Sequence, residues 1–159
     1  MVLVLLGTQN NSFIRLLKEV EKCIDKGIIK EEVIAQIGNT KYDTEKMIIK
    51  EFCSQQEISE LINEASFIIT HGGVGSIIDS IKKEKKVIAI PRLKKYKEHV
   101  NDHQTQIIES LSESGFIIGA NDVSELEEKI KLIDKFEPNK FISNTDNMIS
   151  KIEGYIDNN

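Results

Sequence analysis

The stretch Phe67-Ile68-Ile69-Thr70-His71-Gly72-Gly73-Val74-Gly75-Ser76-Ile77-Ile78 settles what kind of fold this chain adopts. Phe67 to Thr70 is an apolar run of strand length, and Ile77, Ile78 and Ile81 follow at helical spacing. Between them Gly72, Gly73 and Gly75 let the backbone come close to a ligand. The N–H groups at the start of such a helix, with the helix dipole, favour an anion. His71 offers a donor to a phosphate oxygen, and the Ser76 hydroxyl offers another. The competing explanation is a tight strand–helix turn whose glycines serve packing only. The pattern is neither the dinucleotide fingerprint nor a P-loop, since no Gly-Lys-Ser/Thr follows. Asp79 lies one turn past Ser76, where a carboxylate can accept from both ribose hydroxyls; a solvated surface carboxylate is the alternative.

Outward from this loop, apolar runs of strand length alternate with helical patterns. Strands are expected at Val2–Leu6, Val33–Ile37, Met47–Phe52, Phe67–Thr70, Val87–Ile90 and Phe116–Ile118. Helices are expected around Phe13–Ile24, Glu57–Ala65, Ile77–Ile81 and Ile107–Leu111. A further helix is expected from Asp122, with Glu125 three residues on as a capping box, and a last one from Pro138 through Ile152. This is an α/β pattern: a Rossmann-like, mainly parallel sheet with helices on both faces. One domain spans residues 1–159, with 138–156 as its C-terminal helix. Such sheets bind ligands beyond the carboxyl ends of their strands. Attention therefore falls on the loops after Leu6, Ile37, Phe52, Thr70 and Pro91.

Gly7-Thr8-Gln9 joins the first strand to a helix and again permits close approach. Pro91 to His99 is long, basic and polar, the kind of loop that carries function. Asp102, His103 and Gln104 follow, suited either to sugar hydroxyls or to capping a helix. His99 and His103 are four apart, a spacing that binds metal on a helix, but no third ligand is evident. The net charge of -5 provides no basic field for nucleic acid. Cys23 and Cys53 fit a reducing cytoplasm and no metal-ligand spacing. The apolar start, Met1 to Leu6, is too short for a membrane span, so membrane attachment is expected only through a partner.

Taken together, Gly7-Thr8-Gln9, His71-Gly72-Gly73-Val74-Gly75-Ser76, Asp79, Pro91 and Asp102-His103-Gln104 resemble the glycosyltransferase family 28 C-terminal domain. That domain is the donor-binding half of MurG-like GT-B enzymes. The segment from Pro91 to Gln104 looks particularly like the single-domain, PssE-like subunits of two-component enzymes. The resemblance implies an inverting transferase that takes a UDP-sugar donor without a metal or other cofactor. At matching positions it puts His71, Gly72, Gly73, Gly75 and Ser76 on the diphosphate and leaving group, and Asp79 on the ribose. Gly7 and Thr8 would border the diphosphate and the acceptor, His103 and Gln104 the sugar, and Phe52 and Cys53 the uracil. It implies a membrane-anchored, PssD-like partner that brings a lipid-linked saccharide to the cytoplasmic face, as in exopolysaccharide synthesis. The general base is left unassigned. A free half exposes a surface meant for its partner, so self-association is expected in isolation. The rival expectation is a non-catalytic, nucleotide-sugar-binding regulatory module; sugar-nucleotide epimerases share the fold but carry both halves in one chain.

Overall fold

A computed structural model describes residues 1–142 and Ser150. Six parallel strands form one sheet: β1 (Val2–Leu5), β2 (Val33–Gln36), β3 (Ile48–Lys50), β4 (Phe67–His71), β5 (Val87–Ile90) and β6 (Ile118–Gly119). Their order across the sheet is β3-β2-β1-β4-β5-β6. The helices are α1 (Ile14–Asp25), α2 (Gln55–Glu64), α3 (Val74–Ile81), α4 (His103–Glu113) and α5 (Leu126–Ile133).

The continuous apolar run of β1 follows from its central place. Val2, Val4 and Leu6 feed one core, Leu3 and Leu5 the other, because strand side chains alternate between faces. The first core takes Leu16, Leu17 and Val20 of α1 with Leu126, Ile130 and Ile133 of α5. The second takes Ile62 of α2, Ile77, Ile78 and Ile81 of α3, and Ile107, Ile108 and Leu111 of α4. Helices therefore cover both faces, as expected from the sequence.

Several boundaries differ from expectation. β4 runs one residue further, to His71, because His71 still pairs with Ile90. β3 keeps only Ile48–Lys50 of the expected Met47–Phe52, since it is an edge strand paired to β2 alone. β2 and β3 are joined by residues 37–47 with no helix between them. Phe116 and Ile117 pack into the second core ahead of the short β6.

Helix starts differ too. α2 begins before Glu57, at Gln55, behind the N-cap Ser54, whose Oγ accepts from the Glu57 N–H (3.2 Å) while the Ser54 N–H donates to Glu57 Oε2 (2.7 Å). Asp122 instead caps a 3-10 turn, Val123–Glu125, by accepting from the Ser124 N–H. Glu125 turns to the Asn121 N–H, and the α-helix starts only at Leu126. Residues 138–142 are not helical; the rest of the expected C-terminal helix lies outside the described residues, apart from Ser150.

Replacing Ser54 with Ala removes an N-cap acceptor and is expected to cost about 1 kcal/mol in urea unfolding. An unchanged midpoint would mean that the capping box does not stabilise α2.

Candidate functional site

The chain starts in the middle of the sheet at β1, moves out to β3, and returns to lay β4 against the other side of β1. Strand order therefore reverses between β1 and β4, the place where open α/β sheets bind their ligands. There the Leu5 carbonyl accepts from the Thr70 hydroxyl (3.1 Å) and from His71 Nδ1–H (3.2 Å). A carbonyl can only accept, so Nδ1 carries the ring proton and Nε2 holds the lone pair of the neutral imidazole. His71 is 4% exposed. Burial pushes its pKa down to about 4, helped by the charge of Arg92 and, less, of His99, and opposed by the Leu5 hydrogen bond. The ring is thus neutral at pH 7, and donation from Nε2 to a phosphate would require a second proton.

The ring sits between two glycines. A Cβ on Gly7, itself at φ +72°, would lie 2.6 Å from His71 Cε1, and one on Gly73 would overlap Nε2. A Cβ on Gly72 would lie 2.6 Å from Gln104 Cβ. Packing therefore accounts for Gly7, Gly72 and Gly73. It does not account for Gly75, around whose Cβ position there is nothing within 4 Å. Glycine inside a helix costs roughly 1 kcal/mol relative to alanine. Gly75 occupies the first turn of α3, directly over N–H groups that no side chain caps. The Ser76 hydroxyl is in the same turn, and no side-chain hydrogen bond engages it among the described residues.

Down the same helix, Asp79 is exposed and helps line a groove of about 440 Å³ between α2 and α3. Cys53, Gln55 and Ile58 form its other wall, so the structure brings Asp79 and Cys53 together. Phe52, 55% exposed, precedes Cys53 but does not line the groove.

The loop after β5 is more ordered inside than its basic sequence indicates. Arg92 is buried, donating from Nη1 to the Asn11 carbonyl (2.6 Å) and from Nη2 to the Leu6 carbonyl (2.7 Å). Its Nε has no partner among the described residues, and its guanidinium lies 5.1 Å from the Phe13 ring centre. Burial lowers its pKa to about 10, with Glu98 opposing, so it stays charged at neutral pH. Gln104 Oε1 accepts from the Arg92 N–H (2.9 Å), and Gln104 packs on Gly72. His103, the first residue of α4, is half-buried. His99 lies before that helix, so His99 and His103 do not share a helix face. Among the described residues no group of three or more His, Cys, Asp or Glu could hold a metal ion.

Two residues not singled out from sequence organise the rim. Arg15 donates from Nε and Nη2 to both oxygens of buried Glu98 (2.7 and 2.9 Å) and lies over the Tyr96 ring at 3.7 Å. Gln36 Nε2 donates to the Gly7 carbonyl (3.2 Å) and the Glu51 carbonyl (3.1 Å), tying the loops after β1 and β3 together. Gln36 ends an apolar strand, and a polar residue there was the available signal.

Thr8, Gln9, Asn10, Asn11, His99 and Val100 line a separate pocket of about 360 Å³. It begins one residue past Gly7. Among the described residues no helix is long and apolar enough to cross a membrane.

The profile of the glycosyltransferase family 28 C-terminal domain matches residues 1–157. The UDP-N-acetylglucosamine transferase subunit ALG13 of Candida glabrata is 26% identical over 95 residues, 59% of this chain and 44% of that protein. Its counterpart in Debaryomyces hansenii is 31% identical over 77 residues, 48% of this chain and 34% of that protein. The matches span less than half of either curated relative. Among solved structures, the solution structure of ALG13 superimposes with a TM-score of 0.58 at 18% identity, over 88% of both chains. The glycosyltransferase SnogD from Streptomyces nogalater gives 0.59 at 17% identity, covering 83% of this chain and 33% of that one. At such identities the structural likeness establishes the fold.

The depressed pKa of His71 has a consequence for stability. The unfolded chain takes up a proton near pH 6.5 and the folded chain only near 4, so stability falls as pH drops through that window. The expected loss is roughly 3 kcal/mol, and His71→Gln should lack this component in urea unfolding at pH 7 and pH 4. Equal acid sensitivity of the two proteins would show that His71 is not the titrating group.

Proposed function

The chain belongs to the glycosyltransferase family 28 C-terminal domain family, and from that premise we propose that it is the catalytic, UDP-sugar-binding subunit of an inverting glycosyltransferase. The observation that carries this proposal is the uncapped start of α3 at the point where strand order reverses, with open space over Gly75. A diphosphate fits there, accepting from the N–H groups of the first turn and from the Ser76 hydroxyl. The uncompensated charge of buried Arg92 adds to the attraction. In the neighbouring groove Asp79 takes the ribose hydroxyls, and the Phe52-Cys53 segment takes the uracil. His103 and Gln104 lie on the sugar side.

In the reaction an acceptor hydroxyl attacks the anomeric carbon, the bond to the diphosphate oxygen breaks, and UDP leaves with the electron pair. Charge developing on the leaving group is met by fixed N–H dipoles at α3 and by Arg92, an arrangement that needs no metal. His71 serves that step by holding Gly7 and Gly73 one ring-width apart. The ALG13 proteins are named as subunits of a UDP-N-acetylglucosamine transferase. The same arrangement is proposed for this chain: a membrane-anchored, PssD-like partner presents a lipid-linked saccharide at the cytoplasmic face.

Calorimetry on the purified chain tests the donor site. UDP is expected to bind saturably, ADP to compete poorly, and Asp79→Ala to weaken UDP about tenfold, roughly 1.4 kcal/mol. Gly75→Ala should weaken UDP as well while leaving thermal stability equal or higher. Absence of UDP binding, both alone and with the co-expressed partner, would sink the proposal.

A further inference from the structure

The loop between β5 and α4 sorts its charges by side. Its acid is inside: Glu98 is 4% exposed, and its carboxylate accepts from Arg15 and from the Leu93 N–H (3.1 Å). Its bases are outside. Lys94, Lys95, Tyr96 and Lys97 are all exposed, and among the described residues no acid pairs with the three lysines. Elsewhere on the surface Lys22, Lys26, Lys46 and Lys131 each hold a carboxylate. The adjoining loop, Thr8 to Ser12, carries no charge that could offset the lysines. Asp102, the next exposed acid along the chain, already accepts from the Lys94 N–H (2.8 Å).

The loop is also held in shape. Arg15 lies over the Tyr96 ring at 3.7 Å, and Asn11 Nδ2 donates to the Lys97 carbonyl (3.3 Å). The chain passes from exposed Lys97 to buried Glu98 through the left-handed conformation of Lys97 (φ +59°). Apolar surface accompanies the charge, since Tyr96 is 46% exposed and Val100 75%. Both loops follow the carboxyl ends of strands, on the side of the sheet that carries the proposed donor site.

We propose that Lys94, Lys95 and Lys97, with Tyr96 and Val100, form a surface that rests on an anionic lipid bilayer. Ammonium groups meet the lipid phosphates, while an aromatic and an aliphatic side chain reach the headgroup boundary. Lysine is a hydrated point charge and suits a diffuse negative surface, whereas the arginine fork suits the carboxylates of a protein. Both arginines of this chain, Arg15 and Arg92, are spent on internal contacts. The net charge of -5 does not oppose the contact, because exposed charges farther apart than about 10 Å are largely screened at roughly 0.1 M salt. Three lysines orient a chain that its partner tethers; they do not anchor it alone. What the contact does for transfer rests on the donor-site proposal above: it turns the carboxyl edge of the sheet towards the headgroups from which a lipid-linked sugar projects.

Vesicles of phosphatidylcholine alone, and of phosphatidylcholine with phosphatidylglycerol in equal parts, are sedimented with the full chain over a series of lipid and salt concentrations. The chain should partition to the anionic vesicles, leave them as salt rises, and ignore the neutral ones. Lys94→Gln, Lys95→Gln and Lys97→Gln combined should weaken partitioning about fivefold per lysine, roughly a hundredfold in all. UDP affinity and urea unfolding should not change. Arginine at the same three positions should preserve partitioning, which separates charge from loop structure. Equal sedimentation with both vesicle types, or of the glutamine variant and the unaltered chain, overturns the proposal. So does a glutamine variant that is lost from source-cell membranes when the unaltered chain ignores protein-free vesicles; the surface then belongs to an acidic protein. A chain that binds UDP but no vesicle removes this surface and leaves the donor site standing. One that binds anionic vesicles but no UDP, alone or with its partner, does the reverse.

Discussion

The Leu5 carbonyl is the point on which the site's geometry depends. It ends β1 at the place where strand order reverses and takes two side-chain donors from β4, Thr70 and His71. Those bonds fix the imidazole between the loop after β1 and the loop after β4. With the ring there, Gly7 and Gly73 have no room for a Cβ. A buried, hydrogen-bonded ring is a stiff spacer, because core packing tolerates little change in volume. The spacing of the two loops is thereby set by one side chain whose only polar contact among the described residues is to the backbone of the neighbouring strand.

Electrostatics at the same edge are asymmetric. Taking a charge out of water costs several kcal/mol, and an ion partner normally offsets it. Arg92 has two carbonyls and the face of Phe13 instead, while the nearest acid, Glu98, is engaged on both oxygens by Arg15. The result is a positive charge held under the loops after β1 and β5. That arrangement is costly for folding and suited to an anion above it. It also explains why His71 stays neutral, since a second buried cation beside the first would be penalised twice.

Much of this was legible in the sequence. Apolar runs too short for helices, several of them ended by Gly or Pro, placed the strands, and the loops at their carboxyl ends marked where to look for a site. Ser54 and Glu57 spelled out a capping box that periodicity alone, starting from Ile58, did not reach. Asp122 and Glu125 have the same spacing, yet Arg15 draws on Asp122 and the Asn121 N–H draws on Glu125, so the box did not form. Arg92 read as part of a basic loop because composition cannot tell a snorkelling guanidinium from a buried one. The contacts of Arg15 with Glu98 and of Gln36 with Gly7 join residues far apart in the chain, and no local pattern encodes them. His71 looked like a loop donor; only its register opposite Ile90 and the Leu5 carbonyl reveal a strand residue with its donor already used.

The glycines divide the site into what the fold needs and what a ligand needs. Gly7, Gly72 and Gly73 are each pressed by a side chain of the folded chain, so their presence requires no ligand. A Cβ at Gly75 would meet nothing within 4 Å, and glycine in the first turn of α3 favours the helix less than alanine would. Packing therefore does not require glycine at this position, which stands beside N–H groups of α3 that no side chain caps. Buried charge and helix start both favour an anion, while the pocket past Thr8 offers a hydroxyl and three carboxamides. The groove beside that helix carries both signs of charge, since Asp79 shares its wall with Lys82 and Lys83.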